Sequence, residues 1–211
     1  MTERKGTKQK LLRAALQLFG DRGYEAVTVA QIADAVGCTA PALYKHYAGK
    51  QELFEAILEE SRIGWQASMQ RVLFDLSDEE ARKKIANLTE KEQIALAQQL
   101  LLHPLHDEMA RAFRRLMEVE QFHFPALAEA YNQRYVDFPY QQQTEMFRCM
   151  MEEGRMQQGD PEMLSICYLS PIIVFIGMCD RAPERETEAL EKIAAHVRAF
   201  NRAYMVRNEE K

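Results

Sequence analysis

The chain has no uninterrupted apolar run of the roughly 18 residues that a membrane helix needs. Its most apolar stretch, "YLSPIIVFIGMC" (168–179), stops at Asp180 and Arg181, so no membrane partner is expected. The charged opening "MTERKGTKQK" is not followed by an apolar signal core or a small-residue cleavage site, which makes the cytoplasm the expected compartment. Cysteine is scarce: Cys38, Cys149, Cys167 and Cys179 stand far apart, with no CxxC pair and no zinc-ligand spacing. They read as small semi-apolar helix residues in a reducing compartment. Alternating strand patterns are missing, as are repeats and low-complexity linkers. There is no nucleophile–base pair and no glycine-rich phosphate loop, so an enzyme is not expected, nor a cofactor.

What is present is an uneven charge distribution. The first 50 of 211 residues carry eight basic and four acidic side chains, a net +4. The whole chain is at −5, leaving −9 for the remainder. A basic head on an acidic body suggests that the head alone meets a polyanion.

Helical spacing runs throughout. Leu12, Ala15, Leu16 and Phe19 fall at i, i+3, i+4 and i+7, one apolar face of a helix over 7–20 that Gly20 and Gly23 are expected to end. Thr28-Val29-Ala30-Gln31 is a capping-box pattern. A short helix follows with Ile32, Ala33 and Val36 inward, and Gly37 sits where a left-handed C-cap belongs. Thr39 is the next N-cap, and Pro41 is harmless in a first turn whose N–H groups lack intrahelical partners. Residues 28–47 thus read as helix, tight turn, helix, with a longer helix from Lys50 past Trp65.

Two short helices joined by a glycine turn at the basic end form a helix-turn-helix, whose second helix enters the DNA major groove leading end first. The small side chains of Thr39, Ala40, Pro41 and Ala42 let the backbone approach the groove floor. They either touch thymine methyls or only permit that approach. Leu43 and Tyr47, at i and i+4, are expected to pack inward on Ile32. That leaves Tyr44, Lys45 and His46 for bases or phosphates. Lys50 with the N–H groups of its helix start, and Thr28 at the preceding one, are expected to hold phosphates.

"TVAQIADAVGCTAPALYKHYAGKQEL" (28–53) resembles the helix-turn-helix signature of TetR-family transcriptional regulators, through Thr28, Ile32, Ala33, Ala35, Gly37, Leu43, Tyr44, His46, Tyr47, Lys50, Glu52 and Leu53. "AALQLFGDRGYEAVTV" is similar to the family's first helix. The family often has a polar or basic residue and then glycine where Ala40 and Pro41 stand, and Ser or Thr where Gly49 stands. The resemblance implies an all-α homodimer of about nine helices. A three-helix DNA-binding head (1–50, running into the linking helix) would be followed by a helical dimerisation and ligand-binding domain (51–211). It further implies a repressor that binds a palindromic DNA operator and is released by a small apolar effector. The rival reading is a helical DNA binder without a small-molecule pocket, controlled by a protein partner or architectural.

In the body, Pro104, Pro125, Pro139 and Pro161 are expected to separate helices, with Ser77 and Thr89 as helix starts. "RLMEVEQFHFPALAEAY" and "EEGRMQQGDPEM" loosely resemble stretches of these regulators. By that analogy the last two helices, 161–180 and 185–206, form the dimer bundle through Ile172, Phe175, Ile176, Ile193, Val197, Phe200 and Tyr204. An effector pocket is expected among Trp65, Met69, Phe113, Met117, Phe122, Phe147 and Met150, with Arg114, Glu118 and His123 as the polar groups that orient the ligand. The kernel "HPLHD" with His123 lacks a fourth metal ligand at usable spacing, so no metal is expected.

Overall fold

The computed structural model describes residues 2–72 and 78–206, and side chains for 6–66 and 78–206. Its α-helices are α1 (Thr2–Arg22), α2 (Val29–Ala35), α3 (Ala40–Tyr44), α4 (Lys50–Val72), α5 (Glu79–Ala86), α6 (Glu90–His106), α7 (Glu108–Glu120), α8 (Pro125–Asn132), α9 (Phe138–Glu152), α10 (Pro161–Arg181) and α11 (Glu186–Tyr204). The described residues contain no strand, only an isolated antiparallel bridge between Met156 and Met205. The protein is therefore all-α, with an N-terminal helix-turn-helix. The helices divide into two compact units: α1–α4 with α7 and α8, and α5, α6 and α9–α11. Beyond the expected head of 1–50, the first unit thus also contains α4 and residues 107–131.

The expected apolar face of α1 forms the centre of the first unit, with Leu12, Ala15, Leu16 and Phe19 at most 2% exposed. Tyr24 packs among the rings of Phe19, Phe54 and Phe124, with centroids 5.2, 5.0 and 5.3 Å away. Gly20 does not end α1, which continues to Arg22. Its missing side chain instead admits α7, whose Ala112 carbonyl lies where a Cβ would be.

In the second unit, Ile85, Leu101, Phe147, Met150, Leu169, Ile172, Ile193 and Val197 belong to one buried cluster. Phe147 stacks on Phe200 at 5.2 Å, and Tyr168 meets both rings edge-on. Burial pushes the Tyr168 phenol up to about 12. This core takes in residues that were expected at a dimer face. Ile172, Ile176, Ile193, Val197 and Phe200 are buried within the chain's own fold, and Phe175 and Tyr204 pack against them. Alternative faces of α10 cannot be told apart by periodicity because the helix is apolar almost all round. The side turned outward instead carries Met163, Ile166, Ile173 and Val174. By length and composition α10 qualifies as a membrane span, with a mean hydropathy of 1.8. Counting only uninterrupted apolar residues missed this.

Two prolines break less than expected. Pro104 lies inside α6, which ends two residues later. Pro139 follows a π-turn at Gln133–Asp137 that joins α8 directly to α9. There the Phe138 N–H bonds the Gln133 carbonyl five residues back. The widened turn relieves the clash a proline ring makes with the carbonyl four residues earlier. Among the expected helix starts, Thr89 forms a capping box with Glu92. Ser77 lies outside the described residues, and Asp78 caps α5.

Candidate nucleic-acid interface

The helix-turn-helix is set by local chemistry. Thr28 is in extended conformation, and its hydroxyl accepts from the Gln31 N–H at 3.3 Å. The Gln31 side chain accepts from the Thr28 N–H at 2.8 Å. Thr28→Ala should remove this box and cost about 1 kcal/mol, measured as a lower urea midpoint in the signal from the first unit. α2 ends at Ala35 with Val36 as its C-cap, and Gly37 takes φ +69°, a conformation few side chains tolerate. Thr39 is at the N-cap of α3, but its hydroxyl makes no capping bond. This exposed hydroxyl therefore keeps its hydrogen-bonding capacity for a ligand.

α3 is short, and its faces divide as expected. Leu43 and Tyr47 are 0% and 2% exposed. Burial, more than the nearby Glu60 and Glu52, pushes the Tyr47 phenol up to about 12. Thr28, Thr39, Pro41, Tyr44 and Lys45 are exposed, and Ala40, Ala42 and His46 are half-buried. Those from Thr39 to His46 form one continuous stretch of chain, and no acidic side chain occurs from Thr39 to Lys50.

Lys50 has an additional role that the sequence did not indicate. Its Nζ donates to the Tyr24 carbonyl at 2.9 Å, lies 4.1 Å from the Tyr24 ring centroid and is 3.7 Å from the Glu25 carboxylate. The ammonium thus braces the start of α4 against the loop between α1 and α2. At the same helix start the Glu52 carboxylate accepts from the Ala48 N–H. This places a negative charge where an incoming phosphate would bind.

The residues expected to surround an effector are divided between the two units. Phe113, Arg114 and Met117 are buried on α7, and Arg114 Nη1 pairs with Glu118 at 3.1 Å. Phe147 and Met150 are buried in the second unit. Phe122 and His123 occupy the turn after α7, with Phe122 88% exposed and the His123 side chain 75% exposed. Neither is enclosed, because α7 has ended at Glu120. Trp65 is half-buried on α4, and the Met69 side chain lies outside the described residues. A shallow hollow of about 280 Å³ on the second unit is lined by Leu88, Glu90, Gln93, Asn201, Arg202, Met205 and Val206, none of the expected set. In the "HPLHD" kernel, His106 Nε2 lies 2.8 Å from Glu186, and Asp107 caps α7.

The fold and this site together define a helix-turn-helix protein. Residues 11–57 match the family model described as bacterial regulatory proteins, tetR family. The chain is similar to the HTH-type transcriptional activator FasR of Mycolicibacterium smegmatis, with 36% identity over 40% of this chain and 37% of that protein. It is also similar to the HTH-type transcriptional regulator AcrR of Shigella flexneri, with 30% identity over 57% of this chain and 50% of that one. The chain thus spans half or less of these curated relatives. Among solved structures, a TetR-family regulator from Mesorhizobium loti superposes with a TM-score of 0.64 at 19% identity, covering 98% of this chain and all of that one. SmeT, repressor of a Stenotrophomonas maltophilia multidrug efflux pump, gives 0.58 at 17% identity over 94% of this chain and 90% of that one. At such identities the likeness concerns the fold.

Proposed function

We propose that this protein is a non-enzymatic cytoplasmic transcriptional regulator, a repressor, that binds a palindromic DNA operator as a homodimer and is released by a small, mostly apolar effector. The observation that carries the DNA-binding part is the two-sided α3: Leu43 and Tyr47 buried beneath, and Thr39, Pro41, Tyr44 and Lys45 exposed above. Thr28, Thr39, Tyr44, Lys45 and His46 position the head on phosphates and base edges, and Ala40, Pro41 and Ala42 meet the groove floor. Lys50 joins them with the N–H bonds left over after its bond to Tyr24. The two heads of a dimer would meet half-sites one helical turn, about 34 Å, or a multiple of it apart.

The repressor reading draws on SmeT and on the repressors among the relatives, such as KstR2 of Mycolicibacterium smegmatis, although FasR is named an activator. The effector reading draws on fold neighbours solved with small molecules, SmeT with triclosan and a Saccharomonospora viridis regulator with choline. A second reading, a regulator without an effector pocket, draws on Phe113, Met117, Phe147 and Met150 being packing residues of their units.

Selection of duplexes from random DNA, followed by titration at several salt concentrations, tests the DNA-binding reading. Wild type should enrich an inverted repeat. Lys45→Ala should weaken every duplex alike and lower the salt slope by about 0.9. Pro41→Lys should change the enriched motif itself. If wild type enriches no inverted repeat, the operator reading fails. If Pro41→Lys enriches the same motif, α3 does not read bases at that position.

A further inference from the structure

We propose that Glu120, on α7 and far from α3, is a positioning residue for DNA binding: its carboxylate fixes the loop from which α2 starts. This rests on the DNA-binding reading above. Glu120 is 6% exposed. Its Oε1 accepts from the Tyr24 N–H at 2.7 Å, and its Oε2 lies 3.3 Å from His123 Nδ1. At Gly23, with φ +82°, a Cβ would stand 3.0 Å from the same Oε1. The loop therefore carries glycine where the carboxylate approaches the backbone.

Tyr24 passes this constraint on. Its carbonyl accepts from Lys50 Nζ at 2.9 Å and from the Val27 N–H at 3.3 Å, and its phenol donates to Gln51 Oε1 at 3.0 Å. The peptide groups on either side of Tyr24 are thus held by α7 through Glu120 and by α4 through Lys50. Four residues on, Thr28 caps α2. A buried carboxylate is costly to leave unpaired, and its bond to an N–H is charge-assisted, so the loop has little freedom while Glu120 is in place.

Other contacts hold α7 on α1 without Glu120. Arg115 Nη1 pairs with Asp21 at 3.0 Å, Gln17 donates to Glu108, and Gly20 receives the Ala112 carbonyl. Loss of Glu120 should therefore loosen the loop and the aim of α2 and α3 while the unit stays folded.

The test uses the full chain and a duplex enriched by the wild-type protein from random DNA. Glu120→Gln, whose amide oxygen can still accept from Tyr24, should bind within about threefold of wild type, whereas Glu120→Ala should bind at least about tenfold more weakly. The salt slope should not change in either variant, because no phosphate contact is removed. Asp21→Ala, which removes only the surface pair, should bind as wild type. Three results would overturn the proposal: Glu120→Ala binding as wild type, Glu120→Gln losing as much affinity as Glu120→Ala, or the loss in Glu120→Ala being matched by an equal loss of folded protein. Failure of the wild type to enrich any duplex would instead remove the DNA-binding reading on which the proposal stands.

Discussion

Gly20→Val should lower the unfolding midpoint of the first unit by about 2–12 °C. A Cβ at this position would lie 2.7 Å from the Ala112 carbonyl oxygen and 3.6 Å from the Arg115 Cβ. The first of these is backbone, which cannot swing aside as the end of a long side chain can, so α1 and α7 must part. Overpacking of this kind costs about 1–3 kcal/mol, and each kcal/mol moves the midpoint of a chain this size by about 2–4 °C. Helix propensity acts in the opposite direction, since glycine inside a helix is about 1 kcal/mol worse than alanine. Gly20→Ala is thus the milder variant, and valine, bulkier and a poorer helix former, decides the question. Trp65, the chain's one tryptophan, is on α4 in the first unit, so its fluorescence follows that unit as the temperature rises. A valine variant melting with wild type would mean that α7 does not approach α1 this closely.

Features governed by neighbours in sequence were legible from the residues alone. The Thr28–Gln31 box and the left-handed Gly37 each depend on fewer than six residues, and the i, i+4 spacing of Leu43 and Tyr47 marks the inward side of α3. Positions whose role depends on distant segments were not. Gly20 reads as a helix end until α7 is placed beside it. Lys50 reads as a phosphate ligand alone, and its bracing role shows only when Tyr24 and Glu25 are brought to it. Glu120 carries no signal in its own neighbourhood, because its partner is 96 residues away. The same limit explains the effector residues. Aromatic and methionine stripes at helical spacing mark buried faces, and Phe113, Met117, Phe147 and Met150 are indeed buried, but the pattern does not separate a packed core from a pocket lining.

Val174→Asp should convert the proposed dimer into monomers and weaken operator binding with it. Along the outward side of α10, Met163, Ile166, Ser170, Ile173 and Gly177 recur at alternating steps of three and four residues, the spacing of a helix–helix seam. Cys167 and Val174 flank it, and Val174 is 65% exposed, the most exposed apolar side chain of this helix. The opposite side, with Tyr168, Leu169, Ile172 and Ile176, is used up in the chain's own core. On α11 the exposed positions include Ala195, Ala199 and Ala203, small enough for a second helix to come close. An apolar strip of this extent marks an interaction surface, and a second copy of the chain would supply the matching strip by two-fold symmetry. Because symmetry repeats the substitution, two carboxylates would be buried for each one introduced. The dimer dissociation constant should rise by about 100-fold or more, near 2.7 kcal/mol over the two copies. Sedimentation equilibrium should then give the mass of one chain where wild type gives two, with an unchanged helical circular dichroism spectrum. Ile172→Asp, in the core, should instead lose that spectrum. Operator affinity should fall in Val174→Asp because each head then binds its half-site without the other held nearby. A Val174→Asp protein that remains dimeric would place the interface elsewhere than on this face of α10.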